Sequence, residues 1–449
     1  MSDLLDIATA VAGRARGTEQ VEAFLMHERT FEARAFDGEI ESVASAEPRG
    51  AGIRVVTDDR VGFSYTTDLT EAGLQAALDS ARANARFATE DDAVGLASGW
   101  SSRPADVAGL IDPTQHDRSP GEKVSFTVAL ERATKAVDPR VRTVEDAVYS
   151  DSEATVAIAT TTGIEGVYAH TDAWCYAVAI AEDGGDTQVG FDFGLARGLG
   201  GLDVEEVARR AADRALSVLG ATKIPSSRMP VVFDPYTSGQ FLGVIAAALT
   251  GEAVQKGRSL FAGKLGETVA GSVTLTDDGR VDGAPGSAPW DDEGTPTRRT
   301  EVIKDGVLTS FLYDIVSARR DGTTSTGNAS RAGFKSGPGP SPTNMALDPT
   351  GQTRAEVLAQ GGRAFLVQDF HGVHSGANAV SGDFSVGATG KLLENGSIGQ
   401  PVKEVTIAAP MLEILAGIVA VADDRRWLPF GGSFGGATTL IAEMTVAGS

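Results

Sequence analysis

The stretch Thr237-Ser238-Gly239-Gln240-Phe241-Leu242-Gly243-Val244-Ile245-Ala246-Ala247-Ala248-Leu249 carries small or apolar side chains at nearly every position. A helix that is apolar on all sides is typical of a protein core. We therefore expect a buried helix over Thr237–Leu249, with the neighbouring segments packed around it. Just ahead of it, Val231–Phe233 predicts a short strand and Asp234-Pro235 predicts a turn.

Downstream of this helix, the sequence predicts short strands separated by turns, such as the turn at Asp277-Asp278-Gly279. The proline-rich segment Ser336–Pro342 predicts irregular structure, because proline lacks the backbone donor that a strand or helix needs. One further helix is predicted over Met411–Ala422. Residues 228–449 are therefore predicted to form a strand-rich C-terminal domain around the first-quoted helix.

Upstream, Ile224–Pro230 is the best candidate for a linker to an N-terminal half. Two α/β units are predicted in that half, over residues 1–90 and 115–222, with a polar connection between them. Each unit has a strand that carries Val-Gly-Phe and precedes an alanine-rich helix, at Val61–Phe63 and at Val189–Phe191. This short match suggests an internal duplication.

Apolar spacing locates the elements of these two units. The predicted strands are Val21–Met26, Ile53–Val56, Val61–Tyr65 and several within residues 141–196, and the predicted helices lie at the N-terminus, around Leu74–Ala81, over Gly121–Val137 and after Asp203. Asp203 and Glu206 resemble a capping box for the last of these helices.

The net charge of the chain limits the classes of molecule that it is expected to bind. The formal net charge is -22 and the isoelectric point is about 4.6. A protein this acidic is repelled by phosphate backbones, so we expect no binding to nucleic acid. A solvated acidic surface is the simplest interpretation, and an acidic groove that attracts basic peptides is the alternative.

The single cysteine, Cys175, has no partner for an internal disulfide, which suits a reducing compartment. Its neighbours Trp174 and Tyr176 indicate a buried structural thiol rather than a nucleophile. Met1–Asp6 contains acids and no apolar run of signal-peptide length. No stretch approaches the ~20 apolar residues of a membrane span. We therefore predict a cytoplasmic protein that does not enter a membrane.

Several catalytic patterns are rejected. Gly431–Gly435 matches the G-x-S-x-G elbow, but Thr438–Ala442 predicts a strand where a helix is needed, and no histidine follows. Phosphate-binding loops of the P-loop and dinucleotide types are absent from the sequence. Among the five histidines only His371 and His374 lie close together. With a carboxylate they could bind zinc, although their glycine-rich surroundings favour histidines that stabilise a loop.

A series of spaced motifs carries the most specific signal in the last 220 or so residues. The series is Ser259–Phe261, Asp291–Pro296, Ile303–Leu308, Ser325–Asn328, Pro342–Asn344, Ser381–Ser385, Glu394–Gly396, Pro401–Lys403 and Met444–Gly448. Its order and spacing resemble the TldD/PmbA family, also named modulators of DNA gyrase. Gly50–Val56 and Val61–Phe63 extend the resemblance to the N-terminal half, so it covers essentially the whole chain.

In TldD-like members of this family, a helix of the C-terminal domain supplies His-Glu-x-x-x-His, which binds zinc together with a late cysteine. The imidazoles and the thiolate hold the metal, and the glutamate can act as base for the bound water. The family spacing from this helix to Leu249-x-Gly251 is retained here. In that register, the first histidine position is Leu242, the glutamate position is Gly243 and the second histidine position is Ala247.

No shift of register restores these ligands, because the sequence has no histidine between His170 and His371 and no cysteine after Cys175. The chain is therefore similar to the TldE/PmbA members, the branch that lacks zinc. We predict no catalytic, metal-binding or cofactor-binding residue, and the residues that contact a substrate stay unassigned.

The resemblance implies an α+β fold, with two N-terminal α/β units followed by a strand-rich C-terminal domain around a buried apolar helix. It also implies pairing with a TldD-like zinc metallopeptidase subunit, and the pair cleaves unfolded or extended peptides and takes part in the maturation of small modified peptides. Because related subunits tend to pair with two-fold symmetry, we expect a homodimer when the chain is alone. Three alternatives stay open. They are an autonomous metallopeptidase using His371, His374 and Asp383, a binding protein such as a gyrase regulator, and a homodimer with an unknown metal-free activity.

Overall fold

The computed structural model describes residues 2–428 and 432–448. In the N-terminal half, the strands are β1 Gln20–Phe36, β2 Glu39–Ala46, β3 Arg49–Thr57, β4 Arg60–Thr66, β5 Val141–Thr160, β6 Glu165–Asp183 and β7 Asp186–Ala196. The helices are α1 Ser2–Ala12, α2 Glu71–Phe87, α3 Pro120–Ala136 and α4 Val204–Leu216, with short 3₁₀ turns at Gln115–Asp117 and Leu199–Gly201. The strands and helices predicted for this half are all present.

These seven strands form one antiparallel sheet in the order β4-β3-β1-β5-β6-β7, with β2 paired to β1. The long strands β1 and β5 come from the two predicted units and pair side by side from Glu22–Thr160 to Ala35–Ala147. Helices α1 and α2 pack against the first part of the sheet, and α3 and α4 against the second. The two predicted units therefore share a single sheet.

The two Val-Gly-Phe segments have the same structural role. A Cβ atom on Gly62 would lie 2.0 Å from the Ala81 carbonyl of α2, and one on Gly190 would lie 2.2 Å from the Ala211 carbonyl of α4. Glycine thus lets each helix backbone lie directly on its strand. This parallel is consistent with the suggested internal duplication.

The C-terminal half is richer in short strands. They are β8 Ser227–Phe233, β9 Leu275–Asp278, β10 Arg299–Lys304, β11 Val307–Leu308, β12 Ala329–Ser330, β13 Gly339–Pro340, β14 Asn344–Leu347, β15 Arg363–His371, β16 Ala377–Asn378, β17 Asp383–Glu394, β18 Ser397–Ala408, β19 Ile418–Val421, β20 Arg426–Leu428, β21 Ser433–Gly436 and β22 Thr439–Ala447. The helices are α5 Pro235–Ala246, α6 Gly251–Gln255, α7 Ile315–Arg320, α8 Arg354–Gln360, α9 Val373–Gly376 and α10 Met411–Ala416.

Five of these strands close into a barrel in the order β15-β8-β22-β18-β17, because β17 pairs back with β15. A second sheet has the order β11-β10-β9-β14-β21-β20. Helix α5 contacts strands of both sheets, and its residues Phe241, Leu242 and Ile245 belong to the largest apolar core. The predicted α+β fold with a strand-rich C-terminal domain is confirmed. No helix in the described residues is long and apolar enough to cross a membrane.

The predicted turn at Asp234-Pro235 is wrong, because these residues begin α5. The Asp234 carboxylate accepts the Thr237 N–H at 2.9 Å as the N-cap, and Pro235 occupies the first helical position. The helix α5 ends at Ala246 rather than at the predicted Leu249, and a 3₁₀ turn over Ala247–Leu249 continues it. At the helix predicted after Asp203, the Asp203 side chain accepts the Glu206 N–H as the N-cap.

Three further boundaries differ from the predictions. Ser227–Pro230, assigned to a linker, are part of β8. The helix predicted over Met411–Ala422 stops at Ala416, because Gly417 ends it and Ile418–Val421 pairs with β22 as β19. Within the segment expected to be irregular, Gly339 and Pro340 form a two-residue bridge to β12.

Candidate functional site

The three positions that correspond to zinc ligands do not share one environment. Leu242 is 1% exposed and lies in the core, whereas Gly243 is half-buried and Ala247 is exposed. The expectation that this helix is buried on every side is therefore wrong for the face that carries Gly243 and Ala247. None of the three side chains has an atom that can ligate zinc, so the donor set does not fit this metal.

A pocket of about 470 Å³ lies beside that face of α5. Its walls are mostly apolar and aromatic. They include Tyr236, Gly243, Phe370, Leu428 and Phe434, and His374 also lines the pocket. The pocket beside the positions aligned with zinc ligands is therefore lined mainly by apolar and aromatic side chains.

The alternative metal ligands are His371, His374 and Asp383. Two of them, His371 and Asp383, form hydrogen bonds with neighbouring hydroxyl groups. The His371 Nε2 atom lies 2.9 Å from the Thr389 hydroxyl, and Asp383 accepts a hydrogen bond from the Ser381 hydroxyl at 2.6 Å. All three side chains are exposed. Across residues 2–428 and 432–448, no three His, Cys, Asp or Glu side chains are grouped as a metal site requires.

The two candidate nucleophiles are held in structural positions. Ser433 lies in β21, is buried and donates a hydrogen bond to Asn344 at 2.8 Å; Gly431 of the same motif lies outside the described residues. Cys175 is fully buried in β6, and burial raises the pKa of its thiol to about 12. A thiol protonated at neutral pH is a poor nucleophile, so the prediction of a buried structural cysteine is confirmed.

A cleft of about 510 Å³ that combines charged side chains with aromatic rings lies between the N-terminal sheet and loops of the C-terminal half. One wall is the face of β6 that carries every second residue from Tyr168 to Trp174. The opposite wall is formed by the loop residues 285–292, by Ser330 and by Pro342-Thr343. We call this feature the interdomain cleft.

Two of the carboxylates of the cleft are fully engaged by the protein. Asp291 accepts three backbone N–H groups, from Glu293, Thr295 and Ala329, at 2.8–3.0 Å. Asp172 lies 2.6 Å from Arg197 Nη1 and 2.7 Å from His170 Nδ1. These contacts leave neither carboxylate in need of a further partner.

Asp292 is different. One oxygen accepts the backbone N–H of Arg331 at 2.7 Å, and the other has no hydrogen-bond partner among the described residues. The guanidinium of Arg331 pairs with Glu22, and its Nε donates to the backbone carbonyl of Asp292 at 3.0 Å rather than to the carboxylate. Burial raises the pKa of Asp292 to about 6, and the Arg331 charge opposes that rise only in part.

The sequence predicts no individual role for the residues of the Asp291–Pro296 motif and no partner for His170. One signal was available. Tyr168, His170, Asp172 and Trp174 alternate along a strand, so they had to share one face, and a face with a histidine, an acid and two aromatic rings is unusual for a core.

Three family models match the chain in order along the sequence. The PmbA/TldA metallopeptidase domain 1 matches residues 21–85, the central domain matches residues 113–219 and the C-terminal domain matches residues 226–448. The chain therefore belongs to the PmbA/TldD metallopeptidase family.

Relatives from both branches of the family are similar to the chain. Metalloprotease PmbA of Escherichia coli O157:H7 is 28% identical over 417 residues, which cover 92% of this chain and 88% of the relative. A metalloprotease TldD homolog of Haemophilus influenzae is also 28% identical, over 401 residues that cover 86% of this chain and 82% of the relative. Overall identity does not separate the two branches.

Solved structures share the whole fold. A protein of Thermotoga maritima described as a modulator of DNA gyrase matches with a TM-score of 0.89 and 27% identity, covering 99% of this chain and 100% of that one. TldE of Thermococcus kodakarensis matches with a TM-score of 0.87, covering 96% of this chain and 97% of that one. Its identity of 23% supports the common fold alone.

Proposed function

We propose that this chain is the metal-free, TldE/PmbA-type subunit of a cytoplasmic TldD/TldE-type peptidase. The observation that carries the proposal is the set of side chains on α5 and the 3₁₀ turn that continues it. There, the family resemblance aligns Leu242 and Ala247 with the two histidines and Gly243 with the glutamate. These side chains neither bind zinc nor activate a water molecule. The missing late cysteine agrees with this interpretation.

In this proposal the chemistry belongs to a TldD-like partner with an intact His-Glu-x-x-x-His. This chain completes the chamber, shapes the access of unfolded or modified peptides and stabilises the active subunit. The three family models that match in order along the chain support this role, because a chain without the zinc ligands has the full domain plan of the family.

We expect the purified chain to contain no stoichiometric zinc and to leave casein intact. Activity should appear when a TldD-like subunit is added, and a chelator should abolish it because the partner holds the metal. Elemental analysis and a peptide-cleavage assay test both statements, with the partner alone measured in parallel. One tightly held zinc per isolated chain, or chelator-sensitive cleavage by it, would contradict the proposal.

We also expect the isolated chain to be a homodimer and to form a heterodimer with the partner. Related subunits tend to pair with two-fold symmetry through the same patch, and a durable interface of this kind buries more than about 2,000 Å². The C-terminal domain, where the family motifs are densest, should supply most of it. Light scattering before and after mixing measures this; a strict monomer that ignores TldD-like partners but binds gyrase would favour a regulator instead.

A further inference from the structure

We propose that the interdomain cleft binds a cationic group of a peptide, with Asp292 as its counter-ion. The proposal rests on the proposed function, since it gives the peptide-handling subunit a substrate preference. The cleft contains a carboxylate oxygen without a partner in the described residues, beside half-buried aromatic rings. Ammonium and guanidinium groups are bound in this way in proteins.

The arrangement of charges singles out Asp292. Asp172 pairs with Arg197 and lies within hydrogen-bond distance of His170, and the two oxygens of Asp291 accept three backbone N–H groups. Asp292 forms no ion pair with a described residue, although it lies in a cleft walled by protein. An ionised carboxylate in such a place is stabilised when a ligand brings the opposite charge.

The walls favour an organic cation over a metal ion. Tyr168 and Trp174 line the cleft from one face of β6, and Trp174 stacks on Tyr176 with 5.5 Å between the ring centroids. A cation beside aromatic rings is attracted by their quadrupoles. The described residues provide no group of three ligands for a metal. A volume of about 510 Å³ leaves room for a side chain together with part of an extended backbone. The net charge of -22 attracts such a ligand from a distance.

The experiment uses the full isolated chain and three short peptides at neutral pH. These are acetyl-Ala-Lys-Ala-amide, its norleucine analogue, and the norleucine peptide with a free amino terminus. Binding is measured by calorimetry and by tryptophan fluorescence, because Trp174 and Trp290 both line the cleft. A cationic peptide should bind at least about tenfold more tightly than the neutral one, as for a hydrogen-bonded ion pair. Comparing the two cationic peptides distinguishes a side chain from a terminal amine.

Two variants locate the site. Asp292→Asn keeps an acceptor for the Arg331 N–H and should abolish the preference, while the control Asp383→Asn, an exposed carboxylate outside the cleft, should retain it. If Asp292→Asn does not fold, Ser330→Lys tests the same point, because Ser330 is exposed and lines the cleft. The introduced ammonium would occupy the cation site or repel a cationic peptide. Ser330→Gln is its neutral control.

Equal binding of cationic and neutral peptides, no binding at about 1 mM, or a preference that survives Asp292→Asn and Ser330→Lys would overturn the inference. These results differ from a failure of the proposed function. A chain that activates a TldD-like partner without any preference for cations loses only the inference. A chain that selects cations but never activates a partner loses only the proposed function.

Discussion

Replacing Arg54 by methionine is expected to lower the free energy of unfolding by about 3–5 kcal/mol. The guanidinium of Arg54 in β3 donates to Glu22 of β1 at 2.6 Å and to Glu293 of the cleft loop at 2.8 Å. The Glu22 and Glu293 side chains are fully buried. Without the arginine, Glu293 keeps only the Ile315 N–H at 2.8 Å, so a buried charge is left without its counter-ion.

Urea unfolding followed by tryptophan fluorescence measures the loss as a lower midpoint. Arg29→Met is the matched control, because Arg29 lies in β1 and pairs at 3.1 Å with Glu47 while both side chains are about half exposed. Such a pair contributes less than about 1 kcal/mol. Adding Glu293→Gln to Arg54→Met should recover part of the loss. Equal losses for the two arginine variants would mean that the buried ion pairs do not hold the halves together.

The buried ion pairs of Arg54 and Arg331 also position residues of the interdomain cleft. Arg54 connects the N-terminal sheet to Glu293, which is adjacent to Asp292 in sequence. Arg331 pairs with Glu22, and its backbone N–H is bound by Asp292. Burial would by itself raise the pKa of Glu22, yet Arg331 and Arg54 together hold that pKa below its usual value. The same buried charges that join the two halves therefore fix the position of Asp292.

Local pattern was sufficient for most of the elements but not for their pairing. The periodicity of Leu74, Ala77, Leu78 and Ala81 predicted α2, because one helix face packs on the sheet. The pairing of β1 with β5 joins residues more than a hundred positions apart, and no spacing within either strand encodes it. Ile418–Val421 falls within a predicted helix because a short apolar run fits a buried helix and a buried strand equally well. Its pairing with β22 makes it a strand.

For the candidate site too, part of the structure follows from local sequence and part depends on how the two halves pack. At the three positions that the family resemblance aligns with zinc ligands, residue identity argues against a metal at any geometry, since leucine, glycine and alanine side chains have no donor atom. The interdomain cleft could not be predicted, because His170 and Asp172 meet Asp291 and Asp292 only after the two halves pack. A spare carboxylate oxygen is a property of the assembled contacts and has no counterpart in the order of residues.

Leu242→Asp is expected to cost several kcal/mol of folding free energy, because it places an unpaired carboxylate in the core of the C-terminal domain. The matched control is Ala247→Asp, which introduces the same residue just beyond α5 at an exposed position and should change stability by no more than about 0.5 kcal/mol. Thermal unfolding of the two variants measures the difference. It also bears on the proposed function, since the family resemblance aligns these two positions with the histidines of TldD-like members. A position sealed in the core cannot ligate a metal that is open to water and substrate. If Leu242→Asp melts at the same temperature as the parent protein, Leu242 is accessible, and its assignment to the apolar core is wrong.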